Sequence, residues 1–171
     1  LYISTNGLNL SFPESMQMNK RERFMAAVNG GEVDYPPCTV WVHFVTDALS
    51  GEEAARRHAA YVRTYDWDMC KVMHDYRYPL PAGLETLTTP QDMLKFEKLP
   101  GTIPNFSEQL KLIRALRADF GPDMPIVDTF FDPFQQVMRK AGFSSAKLVY
   151  GHKREALHML NAVTETVCDY M

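Results

Sequence analysis

Three short apolar runs, Thr39–Val45, Met69–Met73 and Pro125–Phe131, constrain this chain more than any other feature. Each is rich in β-branched, aromatic or sulfur-containing residues, and polar or turn-forming residues bound it, the pattern of a buried strand. Amphipathic stretches long enough to serve as crossovers separate the runs. Strands alternating with helices in this way predict parallel pairing in right-handed units, an α/β architecture. Three parallel strands alone would leave both edges unpaired and one face poorly covered, so further structure is expected to complete the sheet.

The helices announce themselves by caps and periodicity. Asn19 is placed to cap a short leading helix in which Arg23, Phe24, Ala27 and Val28 recur, and Asn29-Gly30-Gly31 ends it. Ser50 can cap a helix over residues 51–64 whose inward stripe would be Ala55, His58, Ala59, Val62 and Tyr65. Between Tyr76 and Pro104 the prolines Pro79, Pro81, Pro90, Pro100 and Pro104 predict a long excursion with one helical turn near residues 90–96. Long loops of this sort tend to be lids or binding loops. Residues 107–120 form the clearest helix, with Phe106, Leu110, Ile113, Leu116 and Phe120 on one stripe. Pro133 suits the first turn of a helix through Lys140, and a last helix over 153–171 would bury Leu157, Leu160, Val163, Val167 and Met171.

Composition excludes several classes of function. With 171 residues the chain reads as one domain, and 18 basic against 21 acidic side chains give a net charge of −3 without a basic stripe, so nucleic acid is not an expected partner. No run approaches the roughly 18 to 20 apolar residues that a membrane span requires. Residues 1–17 lack the features of a secretory signal and precede Met18-Asn19-Lys20-Arg21, so they read as an upstream extension. Cys38, Cys70 and Cys168 are too few and too far apart for a disulfide framework, which fits a reducing cytoplasm.

The segments Asn19-Lys20-Arg21-Glu22-Arg23-Phe24-Met25-Ala26-Ala27-Val28 and Gly31-Glu32-Val33-Asp34-Tyr35-Pro36-Pro37 resemble the opening signature of the uroporphyrinogen decarboxylase superfamily. The stretches Tyr65–Asp75 and Phe120–Val127 are similar to its second and third strand regions. The resemblance implies a partial (β/α)8 TIM-type barrel: residues 18–171 as its N-terminal half, with about three parallel strands and flanking helices. The remainder would come from a longer gene product, a partner chain or a second copy. Decarboxylases of the superfamily carry an arginine-rich segment after the first strand that holds substrate carboxylates. Here His43-Phe44-Val45-Thr46-Asp47 stands in that place, and the tyrosine expected after the third strand has no match in Pro133–Arg139. The resemblance therefore favours the other branch, methyltransferases that use zinc and a corrinoid protein to move a methyl group from a small methylated substrate. That branch's zinc ligands lie mainly in the second barrel half, so no cofactor is expected within this chain. Tetrapyrrole decarboxylation and a non-catalytic half-barrel or fragment stand as alternatives.

In a barrel the active site lies at the carboxyl ends of the strands, which directs attention to the polar residues closing each run. Asp75 and His74 are the leading catalytic candidates, since an imidazole beside a carboxylate can shuttle a proton or ligate a metal. Adjacent residues on an extended strand point to opposite sides, so ordinary loop hydrogen bonding is the competing reading, and Asp75, which matches a family position, ranks first. Lys71 inside an apolar strand needs a partner. Asp128, at similar depth in the third run, is expected to supply it, as a structural ion pair ahead of a catalytic one. His43, Asp47, Tyr76, Arg77 and Asp132 are expected to bind substrate, with a core role for His43 as the alternative. Cys38 and Cys70 read as small buried hydrophobes rather than metal thiolates, and no metal ligand is assigned.

Overall fold

The computed structural model describes residues 17–171 and opens with helix α1, Lys20–Val28, where Asn19 and Glu22 form a reciprocal capping box. The Asn19 side chain accepts from the Glu22 N–H at 2.9 Å, and the Glu22 carboxylate accepts from the Asn19 N–H at 2.9 Å, which satisfies two donors that a helix start leaves orphaned. The extension expected over residues 1–17 lies, apart from Gln17, outside the described residues.

Helix α1, the turn after it and the start of the sheet meet in one buried network. The Arg23 guanidinium donates to both Asp34 carboxylate oxygens at 2.7 Å, to Asp68 Oδ1 at 2.8 Å and to the Met18 carbonyl at 2.6 Å. Its plane lies 3.7 Å from the centroid of the Tyr35 ring, whose hydroxyl donates to Asp68 at 3.0 Å. A buried charge is tolerated only when paired and hydrogen-bonded, and Arg23, Asp34 and Asp68 meet that condition together. Their pairing ties α1 and the turn at residues 34–37 to the start of the sheet.

Helix α2, Gly51–Tyr65, leads into strand β1, Cys70–Met73. The proline-rich excursion holds a single turn, α3, Pro90–Met93, before helix α4, Pro104–Phe120, which starts with Pro104 in the first turn. Strand β2, Ile126–Thr129, is followed by α5, Pro133–Ala141, a 3-10 turn at Phe143–Ser145, α6, Ala146–Gly151, and α7, Lys153–Tyr170. The two strands pair in parallel, Cys70 with Ile126 through Met73 with Thr129, and the sheet is not closed into a barrel. The result is a mixed α/β fold, mostly helical.

The expected strand over residues 39–45 does not form. Asp68 N donates to the Cys38 carbonyl at 3.0 Å and Thr39 Oγ1 donates to the Met69 carbonyl at 2.9 Å, after which the segment leaves the edge of β1 without a ladder. Val40, Trp41, Val42 and Val45 are exposed, so no apolar cover presses the run against the sheet. Val45 adopts φ 53°, in the left-handed region that β-branched residues avoid, and this turns the chain out of extended geometry.

One core lies between β1, α2 and α4, with Ala54, Ala55, Val62, Val72, Leu112 and Leu116 at its centre. The second gathers α3, α5 and α7 under the excursion, around Tyr78, Phe96, Phe106, Met138, Met159 and Val163. Four stripes differ from expectation: in α1 Val28 is exposed, and α4 buries Gln109 and Leu112 where Leu110 and Ile113 were expected. Tyr65 is exposed at the end of α2, and α7 buries Ala156, Met159, Ala162, Val163 and Val167 while Leu157 and Met171 face solvent. The α7 face is rotated because it packs on both α3 and α5. Cys70 is buried as expected, whereas Cys38 is exposed at the loop entering the site. No helix among the described residues is long and apolar enough to cross a membrane.

Candidate functional site

The Asp75 N–H folds back onto the Met73 carbonyl at 3.0 Å, and this tight turn at the carboxyl end of β1 sends His74 and Asp75 in opposite directions. His74 enters a box of aromatic rings, with centroids 5.3 Å from Phe106, 4.8 Å from Phe130 and 5.7 Å from Tyr170. It is wholly buried, neither ring nitrogen has a hydrogen-bond partner, and burial pulls its pKa down to about 3. His74 packs among these rings and does not line the cavity that Asp75 enters.

Asp75 faces the other way, into a cavity of about 260 Å³ formed with His43, Val45, Asp47, Arg77 and Arg139. Its Oδ1 lies 2.6 Å from His43 Nδ1. A carboxylate oxygen accepts, so Nδ1 donates to it and Nε2 is left facing away from Asp75. His43 Nε2 has no protein partner among the described residues, and Asp75 Oδ2 is buried without one. Arg139, reaching from α5, donates to the His74 carbonyl at 2.8 Å, lies over the Phe131 ring at 3.9 Å and places Nη2 3.9 Å from Asp75 Oδ1. Burial lowers the Arg139 pKa from its ordinary value, an effect that the Asp75 charge opposes. At the mouth, Arg77 Nε and Asp47 Oδ2 stand 4.0 Å apart.

The segment that fails as a strand still delivers His43, because residues along it alternate sides. Phe44 packs on His58 and Tyr61 of α2, with ring centroids 4.6 and 5.4 Å away, while His43 turns toward the cavity against the edge of Trp41. Beneath it, His58 Nδ1 donates to the Ala54 carbonyl at 2.8 Å, and burial lowers its pKa.

Of the residues expected at the site, the fold brings His43, Asp47, Asp75 and Arg77 together and leaves five elsewhere. Lys71 and Asp128 form no salt bridge, although the Lys71 charge favours the ionised carboxylate: Asp128 is in register with Val72, which faces the α2 and α4 core, whereas Lys71 is in register with Val127 on the opposite face. Asp128 instead accepts from Gln109 Nε2 at 2.9 Å, and burial raises its pKa. Tyr76 is buried in the same core, its hydroxyl donating to the Leu49 carbonyl at 3.1 Å and its pKa pushed up to about 12 by burial. Asp132 is exposed and caps α5 by accepting from Gln135 N at 3.0 Å. Arg139 and Val45 were missed. An arginine two residues before the end of a helix reads as a charge facing water, and only the packing of α5 beside His74 reverses that reading.

Among the described residues no three His, Cys, Asp or Glu side chains come together as a metal-binding group, so no step through zinc is assigned to this chain. No family model matches the sequence, and neither a curated protein nor a solved structure is found similar to it.

Proposed function

We propose that residues 18–171 form the N-terminal part of a barrel of the uroporphyrinogen decarboxylase type, one that transfers a methyl group from a small substrate to a corrinoid on a partner protein. The observation that carries this reading is the 2.6 Å contact of His43 with Asp75 in a cavity at the carboxyl ends of two parallel strands, where βα-folds keep their reacting groups. When a methylated oxygen or nitrogen loses its methyl group to an acceptor, the C–O or C–N bond breaks and the leaving atom takes up a proton. His43, protonated on Nε2 and steadied through Nδ1 by Asp75, supplies that proton and returns to neutrality. The corrinoid, when bound, provides the methyl acceptor, and this chain's residues provide the proton, the orientation and the cavity. The two-stranded sheet and the exposed Val40–Val42 segment support a missing remainder of the barrel.

Decarboxylation of a carboxylated tetrapyrrole is the second reading, and Arg77 and Arg139 favour it by restoring cationic groups that the first strand exit lacks. The first strand exit weighs against it, since His43-Phe44-Val45-Thr46-Asp47 carries no arginine and ends in an acid.

The full-length protein incubated with cob(I)alamin and a panel of methyl ethers and methylamines should form methylcobalamin. His43→Gln should slow that reaction by about 100-fold or more, the usual contribution of a general acid. Conversion of uroporphyrinogen to coproporphyrinogen with no methyl transfer would exchange the two readings.

A further inference from the structure

We infer that the His43–Asp75 cavity binds a ligand carrying one carboxylate, with Arg139 and Arg77 holding the anion and Asp75 Oδ2 accepting a hydrogen bond from a donor group on the same molecule. The inference deepens the reading above by naming a substrate class, and it rests on the same cavity.

Three observations support it. First, neither arginine is saturated. Arg139 spends one N–H on the His74 carbonyl and stands 3.9 Å from Asp75, and Arg77 stands 4.0 Å from Asp47, distances of charge attraction without a close hydrogen bond. A guanidinium offers five donors in a planar fork that matches a carboxylate edge, so both retain N–H groups for a ligand. Second, Asp75 is 5% exposed, yet its Oδ2 has no partner. A buried carboxylate oxygen left in this state requires a donor, and the cavity is where one can enter.

Third, the charges disfavour a dianion. Asp47 and Asp75 balance Arg77 and Arg139 across the cavity. One carboxylate adds a single negative charge, which the free N–H groups of the two arginines can share. A dianion such as a phosphate ester would set a second negative charge beside two aspartates, in a site where charge interactions are screened less than in bulk water. Phe131, stacked under Arg139 at 3.9 Å, fixes the plane of the fork.

Titration calorimetry on the full-length protein with benzoate, benzamide and phenyl phosphate separates the alternatives. Benzoate is expected to bind at least tenfold more tightly than benzamide and more tightly than phenyl phosphate. Arg139→Gln should bring benzoate and benzamide within about twofold of each other. Arg77→Gln, at an exposed position that does not threaten folding, should narrow the gap by severalfold, and Asp47→Asn should admit phenyl phosphate. Equal binding of benzoate and benzamide, binding of neither, a preference for phenyl phosphate, or a benzoate preference that survives both arginine substitutions would overturn the inference. Because no turnover is read, a benzoate preference without methyl transfer would sink the proposed reaction and leave the anion site standing, while methyl transfer without that preference would do the reverse.

Discussion

At the scale of single residues, burial separates groups that the sequence presents as equals. His74 and Asp75 are neighbours, yet the turn after Met73 sends one among aromatic rings and the other to His43. The His74 pKa of about 3 lies below the ordinary histidine value, so between those limits the unfolded chain binds a proton that the folded chain refuses. Stability contributed by the neutral ring is therefore present above about pH 6.5 and lost as pH falls toward 3, with a slope of up to about 1.4 kcal/mol per pH unit. His74→Phe should remove that slope and raise stability in acid, read from urea midpoints between pH 4 and 7; His58, also held neutral by burial, leaves a smaller residual slope. Arg23 tests the same direction of pH dependence with a charged pair. Its guanidinium holds the Asp34 carboxyl well below the usual carboxylate range, so the pair stabilises the fold above about pH 4 and loses that contribution as pH falls through the depressed pKa. Arg23→Met should lower the urea midpoint strongly at pH 7, and its deficit relative to the native chain should shrink toward pH 2.

At the scale of elements, close approach fixes how α2 and α4 meet. A Cβ on Gly51 would stand 2.3 Å from the Glu108 carbonyl oxygen and 2.7 Å from Leu112 N, backbone atoms that cannot yield without moving a helix. Gly51→Ala should destabilise the chain by about 1 to 3 kcal/mol, a cost of overpacking measurable by thermal melting. The elements that could be read from sequence are those with local signals: the Asn19 and Ser50 caps, the proline in the first turn of α5, and the apolar runs of β1 and β2. The segment around Trp41 has the same apolar pattern as β1, and it fails as a strand because strand formation is settled by cover from other elements rather than by the run itself. For the same reason Lys71 and Asp128 looked like partners, since sequence gives depth along a strand while the pairing register decides the face. His43, Asp47, Asp75 and Arg77 were legible because strand exits cluster at one end of a parallel sheet; Arg139 was not, because helix packing brings it there.

At the scale of the whole molecule, three segments far apart in sequence converge on one cavity: the loop with His43, the turn after β1 with Asp75, and α5 with Arg139. Val40, Trp41 and Val42, beside His43 in sequence, are exposed, and an apolar surface of this kind is a place where a second copy can pack. Light scattering on this 171-residue chain should give a mass above the monomer at micromolar concentration, and Trp41→Asp should shift it toward the monomer. The convergence itself is tested most directly by long-range 1H–15N NMR of the histidine rings near neutral pH. His43 should carry a proton on Nδ1 that Asp75 strongly deshields, and Asp75→Asn should abolish the signature. A His43 ring with no proton on Nδ1 and indifferent to Asp75→Asn would contradict the account.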